Sequence, residues 1–449
     1  RLLEPVRQYA AHHLAARQET AATRARHAAF YLALAEEAVP ALRGPAQGTW
    51  LARLARERDN LRAALRWAEE RGEAESGLRL VVALAPFWEV RGHLGEGRRW
   101  LTAALAAPGA NDAAPALRAR ALAVAGWLAQ HRAEFAVAAA YHKRSLALYR
   151  ALGDRRGIAA ALGELGFEAR LEGKLTRSAR LLAASLALCR AADDRPGLAF
   201  ALLQRGETAW AQGDTACARA SIEEALAYYQ ERGDRRMVAI ARAELGLVAW
   251  RERALDLAAT HFAAALAEHD ALDDRWFLVY DLRGLAAVLA DRGRWPRAAR
   301  LLAAAAGIKE TLGDPGIRVG DVTWGPFAER VRAALGDDAF AAAWAAGAAL
   351  PRAAVLAYAR GSAAAPVAGP ARPGPRAGRA PDALTRRERE VALLLARGHS
   401  DRQVAEALSI GVGTAGGHAH HILEKLGLRS RHQVAAWAVA QGLLAPPPD

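Results

Sequence analysis

Apolar residues follow helical spacing over most of this chain. In the segments IAAALGELGFEARLEG (158–173) and TRSARLLAASLALCRA (176–191) they recur at i, i+3, i+4 and i+7, as on one face of an amphipathic helix. Gly173 falls between the two segments, where a left-handed glycine ends a helix without steric cost. The pattern predicts a helical hairpin.

This hairpin pattern recurs with a fixed period of about 40 residues, in aspartates, glycines, leucines and small residues alike. The repeated positions are Asp154, Asp194, Asp234, Asp274 and Asp314; Gly126, Gly166, Gly206 and Gly246; Leu146, Leu186, Leu226 and Leu266; and Ala138, Ser178, Ala218, Ala258 and Ala298. The leucines are expected in the core and the aspartates at helix N-caps. Because one hairpin is too thin to bury its own apolar face, neighbouring hairpins must stack. The predicted fold is an all-α solenoid.

The period and the small-residue positions resemble tetratricopeptide repeats, in a variant longer than the usual unit, from about Pro115 to Gly313. An earlier hairpin is expected from Gly77 to Ala107, and one amphipathic helix over residues 50–72. The resemblance implies a groove that receives a protein or a small-molecule signal. The alternative is that the repeats serve only as a spacer.

The composition changes abruptly over residues 361–382, GSAAAPVAGPARPGPRAGRAPD, which have no apolar periodicity and predict an extended linker. A compact helical pattern follows. In LTRREREVALLLARG (384–398) Thr385 is placed to cap a helix, with Glu388 as its capping-box partner, and Ser400 is placed to cap the next helix, SDRQVAEAL (400–408). A short turn at 409–413 leads to a third helix and SRHQVAAWAVAQGLL (430–444) to a fourth, a helix-turn-helix arrangement of four helices.

LTRRERE, LLARGHSDRQVAEAL, the pair Thr414 and His418, and ILEKLGLRSR resemble the LuxR-type DNA-binding domain in order and spacing. The resemblance implies a transcription factor that binds operator DNA, a duplex, through its third helix. The residues expected at the DNA bases are Thr414, Ala415, Gly416, Gly417, His418, His420 and His421, and phosphate contacts are expected from Arg402, Lys425, Arg429 and Arg431. Val434, Ala435, Trp437, Ala438 and Val439 of the last helix are candidates for a homodimer contact.

The earlier segments RLLEPVRQYAAHHL (1–14) and FWEVRGHLGEGRRWL (87–101) resemble large bacterial regulators of the LuxR type, in which an ATPase and a winged helix precede helical repeats. The chain opens on Arg1 and its single methionine is Met237, so we expect it to be the C-terminal part of such a protein. The expected division is 1–20 winged-helix tail, 21–110 bridging helices and first hairpin, 111–360 repeats, 361–382 linker, and 383–445 helix-turn-helix domain.

The third helix departs from the family pattern. Gly416 and His420 stand where lysine or another long polar side chain is usual, Gly416 and Gly417 have no side chain to offer a base, and residues 403–424 contain neither lysine nor arginine. Two hypotheses therefore remain: a transcription regulator, or a repeat-based interaction scaffold with a vestigial DNA reader. A metal site at His418 and His421 is not expected, because no nearby cysteine or acid completes a four-ligand set.

Composition adds less to the prediction. The net charge of +13 suits a nucleic-acid partner, but only four of the 61 basic residues are lysines, which together with the abundant alanine indicates a GC-rich genome. Cys189 and Cys217 are expected to be reduced thiols, Trp127, Trp210 and Trp250 core residues, and His131 and His142 ordinary surface histidines. The sequence has neither a phosphate loop nor an apolar run of membrane-spanning length. We expect a cytoplasmic protein with no catalytic, cofactor or metal site in this chain and no membrane partner.

Overall fold

The computed structural model describes residues 4–312, 321–364, 384–397 and 399–426, together with Val434 and Ala438. The chain forms two compact units, residues 1–367 and 368–449. All regular structure in the described ranges is helical, without a strand. The all-α prediction, helical repeats followed by a small helix-turn-helix unit, is confirmed.

Six helices open the first unit. They are α1 (Glu4–Ala16), α2 (Thr20–Ala41), α3 (Gln47–Arg56), α4 (Arg58–Arg71), α5 (Ala74–Arg91) and α6 (Leu94–Ala106). The single helix predicted over residues 50–72 is wrong, because the chain breaks at Glu57 into α3 and α4. The break turns the leucines of both helices, such as Leu54 and Leu61, into one buried cluster.

Five hairpins follow, and their first helices begin at the interval that the sequence predicts. The helices are α7 (Pro115–His131), α8 (Phe135–Leu152), α9 (Arg155–Leu171), α10 (Leu175–Ala191), α11 (Arg195–Gln212), α12 (Thr215–Arg232), α13 (Arg235–Arg251), α14 (Leu255–Leu272), α15 (Arg275–Asp291) and α16 (Trp295–Glu310). The second helix of each hairpin packs on the first helix of the next, as predicted for stacked repeats. The unit ends with α17 (Asp321–Leu335), α18 (Asp337–Ala348) and α19 (Arg352–Ala364), which fold back on α14 and α16.

The repeated aspartates are helix caps. Asp154, Asp194, Asp234 and Asp274 each accept a hydrogen bond from the backbone N–H three residues ahead, at 3.0–3.3 Å. Just before Asp154 and Asp234, Gly153 and Gly233 adopt φ values of 67° and 69°, which close the preceding helix at little steric cost. Asp314 lies outside the described residues.

Each repeated glycine leaves a space, here called a glycine hole, that a side chain of the second helix fills. A Cβ at Gly166, Gly206 or Gly246 would lie 2.9, 2.5 or 3.0 Å from the side chain of Leu182, Ile222 or Phe262, in each case on the second helix of the same hairpin. The five small residues of the fourth series, Ala138, Ser178, Ala218, Ala258 and Ala298, are fully buried. The two helices of a hairpin therefore approach closely because both faces lack bulk.

Leu226 and His142 lie differently from their sequence predictions. Leu146, Leu186 and Leu266 are buried as predicted, but Leu226 is only partly buried, because Ile222 and Ala225 fill the core of that hairpin. His142 is not a surface histidine: it is 0% exposed and fills the hole at Gly126, with Nδ1 2.7 Å from Glu168 Oε1. Burial alone would lower the pKa of His142, but the hydrogen bond to Glu168 and the nearby Glu164 carboxylate together raise it above its usual value.

The first unit also closes on itself. Helices α3 and α5 contact α14 and α15, far along the chain. Gln47 Nε2 donates to Asp234 Oδ1 at 3.3 Å, and the Arg236 guanidinium lies 2.9 Å from Glu89 and 2.6 Å from Asp274. The inner helices of the repeats consequently enclose a cavity.

Candidate nucleic-acid interface

The described residues of the second unit form three helices, α20 (Arg386–Ala396), α21 (Asp401–Leu408) and α22 (Val412–Leu426). The turn between α21 and α22 is shorter than predicted, since Val412 and Gly413 already belong to the helix. Ser409 takes a left-handed conformation there, with φ of 50°. Small apolar side chains join the helices into one core, with buried residues Leu384, Val391, Ala392, Leu395, Val404, Ala405, Ala415, Ala419, Ile422 and Val434.

Two capping boxes fix the starts of α20 and α21. Thr385 accepts a hydrogen bond from the Glu388 backbone N–H, and Glu388 Oε2 accepts one from the Thr385 N–H at 2.8 Å. Ser400 and Gln403 make the same reciprocal pair. Both caps were predicted from local spacing alone.

Residues at i, i+3, i+4 and i+7 form an exposed face on α22. Thr414, Gly417 and His421 are exposed and His418 is half-buried, so these four positions share one side of the helix. Its opposite side carries Ala415, Ala419 and Ile422 into the core. We call Thr414, Gly417, His418 and His421 the groove face.

The residues predicted to contact the DNA bases differ in how exposed they are. Ala415 cannot touch DNA, because it is 0% exposed and packs in the core. Gly416 is half-buried, and a Cβ there would lie 3.5 Å from Asp401 Oδ2, whereas a Cβ on Gly417 would meet open space. The side chain of His420 lies outside the described part of the chain.

The described residues predicted to contact phosphates differ in whether their charge is already paired. Arg402 is exposed on α21. Lys425 Nζ instead lies 2.7 and 2.8 Å from the two carboxylate oxygens of Glu388, so a phosphate would compete with that ion pair. Arg429 and Arg431 lie outside the described residues.

Glu388 links the start of α20 to Lys425 of α22. It is nearly buried, and the Lys425 ammonium together with the Thr385 N–H lowers the pKa of its carboxyl to about 2. Sequence reasoning identified its capping role but missed Lys425, because the partner lies on another helix. It also missed Arg387, whose guanidinium donates to the Leu408 carbonyl at 2.5 Å and closes the end of α21.

The family of this unit follows from a match that covers the three helices and their core. The family model for bacterial regulatory proteins of the luxR family matches residues 382–438. The C-terminal unit is a LuxR-family helix-turn-helix domain.

Relatives of the chain include named regulators. A protein of Mycobacterium tuberculosis (strain ATCC 25618 / H37Rv), named as an HTH-type transcriptional regulator, is 37% identical over 175 residues, which cover 37% of this chain and 19% of the relative. The oxygen regulatory protein NreC of Staphylococcus aureus (strain JH9) is 38% identical over 61 residues, or 14% of this chain and 28% of that protein. The match therefore spans about a fifth of the mycobacterial relative's length.

Neither a candidate metal cluster nor a single membrane-spanning helix occurs among the described residues. They contain no group of three or more histidine, cysteine or acidic residues placed to hold a metal ion. Within the same ranges no single helix is long and apolar enough to cross a membrane. The pair α18 and α19, bent by 120° at their junction, has the length and composition of a broken span.

Proposed function

We propose that this chain acts in transcription regulation, with the LuxR-family domain binding operator DNA through α22 and the repeats receiving a signal or a partner. The groove face carries this proposal. It is polar or side-chain-free and stands on a fully packed core, as a helix that enters the major groove requires. A decayed domain would be expected to lose this core and its two capping boxes.

The mode of binding should be dominated by phosphate contacts. Gly417 offers no side chain to a base edge, and a good bidentate base contact is worth about 1–3 kcal/mol of discrimination. What the groove face retains is Thr414 and two histidines, without a lysine or an arginine. Arg402 and the neighbouring cations then supply most of the affinity, which makes binding steeply salt-dependent.

The test is a salt titration of DNA binding by the full chain. A fluorescent duplex selected from a random pool and an unselected duplex are compared by anisotropy between low and physiological salt. We expect similar affinities for both and a steep loss with salt. The double substitution Gly416→Lys with Gly417→Ala should raise helix content and affinity together, since each helix-interior glycine costs about 1 kcal/mol relative to alanine. A wild-type preference above about a thousandfold would contradict this account of the glycines.

The second candidate is an interaction scaffold whose DNA reader is vestigial. The gap at Gly417 and the ion pair that engages Lys425 favour it. It predicts that wild type binds neither duplex even at low salt, and that Arg402→Ala changes nothing. Measurable low-salt binding that falls in Arg402→Ala supports the regulator instead.

Homodimerisation through the last helix is part of the same proposal. Fewer residues are available for it than the sequence suggested. Val434 and Ala438 are helical and 0% exposed within one chain, so they serve its own core. Ala435, Trp437 and Val439 lie outside the described residues and remain the candidates. Sedimentation of the full chain on a duplex with two half-sites tests the idea, and strict monomer binding contradicts it.

A further inference from the structure

The cavity inside the repeats has a mixed aromatic and acidic lining. It offers about 200 Å³ of space, below the roughly 300–1,000 Å³ typical of pockets for drug-sized ligands. The first helices of all five hairpins contribute to its wall. Their aromatic side chains there are Trp127, Phe167, Phe200, Trp210, Trp276, Phe277 and Tyr280. The sequence predicted Trp127 and Trp210 as core residues, but both are half-buried because they face this space.

Hydrogen-bond acceptors collect at one part of this wall. Glu164 and Glu244 hold equivalent positions of repeats two apart, with Gln204 at the same position of the repeat between them. Glu164 accepts from the Gln130 amide at 3.0 Å and Glu244 from the Tyr280 hydroxyl at 2.9 Å, and both donors are uncharged. Gln204 is 6% exposed, and its carbonyl oxygen Oε1 is buried without a hydrogen-bond partner. A buried acceptor of this kind normally finds a donor.

The cations of the lining are already engaged. Arg170 forms an ion pair with Glu207, and Arg236 binds Glu89 and Asp274. Arg283 and Lys309 also have partners. Arg170 Nε is itself unpartnered, yet its charge is neutralised by Glu207. The cationic groups that act on Glu164 and Glu244 are His142 and Arg170, and these bind Glu168 and Glu207 instead. Positive charge is therefore short at Glu164 and Glu244 themselves.

The protonation of the carboxyls agrees with this shortage. Burial, together with the nearby Glu207 carboxyl, raises the pKa of Glu244 to about 8. Burial also raises the pKa of Glu164 and of Glu207 above their ordinary values. A cation placed among these groups would restore their ionised form.

We propose that this cavity binds a small organic amine, whose ammonium group donates to Gln204 Oε1 and Glu244 while its aromatic or aliphatic body packs on Trp210 and Phe200. Aromatic faces attract cations, and carboxylates supply charge-assisted hydrogen bonds. The assignment deepens the proposed function, on which it rests, by naming the chemical class of signal that the repeats receive.

The experiment is calorimetric titration of the full chain with 2-phenylethylamine, beside the neutral 2-phenylethanol and the anionic 3-phenylpropionate. We expect saturable binding of one amine per chain, with the alcohol and the acid at least about tenfold weaker. The three tryptophans of the wall give a second readout in their fluorescence. Equal binding of all three compounds, or no binding of the amine, overturns the assignment.

Variants locate the site. Glu244→Gln keeps an acceptor for the Tyr280 hydroxyl and removes the charge, and it should weaken amine binding about tenfold or more. Gln204→Met removes the unpartnered acceptor and should also weaken amine binding. It replaces Glu244→Gln in the test if that variant does not fold. Glu224→Gln, on an exposed position of α12, is the matched control and should bind as wild type. Unchanged affinity in folded Glu244→Gln and Gln204→Met overturns the site.

DNA binding, measured separately on the same preparations, keeps the two proposals distinguishable. Amine binding without any DNA binding would refute the proposed function and leave the cavity assignment standing. DNA binding by a chain that takes no amine would refute the cavity assignment alone.

Discussion

Glu388 joins the start of α20 to the end of α22 through one carboxylate. Its Oε2 accepts from the Thr385 N–H, and both of its oxygens lie within 2.8 Å of Lys425 Nζ. The cap is local, within a single helical turn, and was predicted from the spacing of Thr385 and Glu388. The ion pair spans 37 residues, and nothing in the local sequence distinguishes Lys425 from a DNA-binding lysine. Short-range chemistry at this site could be predicted; the long-range partner required the fold.

At this residue scale we predict a pH-dependent loosening of α20. The folded-state pKa of Glu388 lies at about 2, below its ordinary value, so its stabilisation is complete above pH 4.5 and is lost as the pH falls toward 2. Glu388→Gln keeps the capping-box acceptor but removes the charge that faces Lys425, so it should cost about 0.5–2 kcal/mol at neutral pH and flatten the change between pH 4.5 and 2. Hydrogen exchange of residues 386–396 in the full chain, corrected for intrinsic rates, measures this. Glu406→Gln, exposed on α21, is the control, and equal behaviour of the two variants contradicts the role of Glu388.

At the scale of elements, the period could be predicted because each hairpin packs its two helices with the same residue types at equivalent positions. The aspartate caps, the glycine holes and the small residues of the second helix all recur with one period and hold in the structure. Leu226 shows the limit of this reasoning. Periodicity identifies a face of the helix, but Ile222 decides how much of that face remains for its neighbour.

The glycine holes give a prediction with a built-in control. Gly206→Ala should destabilise the first unit by about 1–3 kcal/mol despite the better helix propensity of alanine, because its Cβ would lie 2.5 Å from Ile222 Cγ1 and 3.2 Å from the Ala218 carbonyl oxygen. Gly307→Ala, exposed in α16 with open space around it, should instead stabilise by up to about 1 kcal/mol. Urea unfolding followed by circular dichroism compares them.

A double substitution separates overpacking from other effects of Gly206→Ala. In an Ile222→Ala background the side chain that fills the hole is gone, so the penalty should become small. The packing account fails if Gly206→Ala costs as much in that background as in wild type.

At the scale of the whole first unit, the structure has long-range contacts that the repeat pattern does not predict. A stack of repeats in which each hairpin touches only its neighbours should unfold in steps along its length. Here α3 and α5 contact α14 and α15, so the beginning and the later part of the unit stabilise one another. The residues responsible, Gln47, Glu89 and Arg236, are not repeated, and periodicity could not reveal them. The same closure encloses the cavity.

Arg236 is a buried charged link in this closure, and it gives the last prediction. Its side chain is 9% exposed and reaches both Glu89 and the fully buried Asp274. Arg236→Leu leaves Asp274 without its cation and should cost about 3–5 kcal/mol, the range for breaking a buried ion pair. Arg235→Leu, whose ion pair with Glu268 is exposed, should cost about 1 kcal/mol or less.

The two variants differ in pattern as well as in size. If Arg236 holds the closure, its loss should raise hydrogen exchange in α3 and α5 before the repeats open, and one thermal transition of the first unit should separate into two. Arg235→Leu should keep the single transition. If both variants melt alike, with α3 and α5 still protected, the contacts between α5 and α15 rather than this guanidinium keep the unit closed.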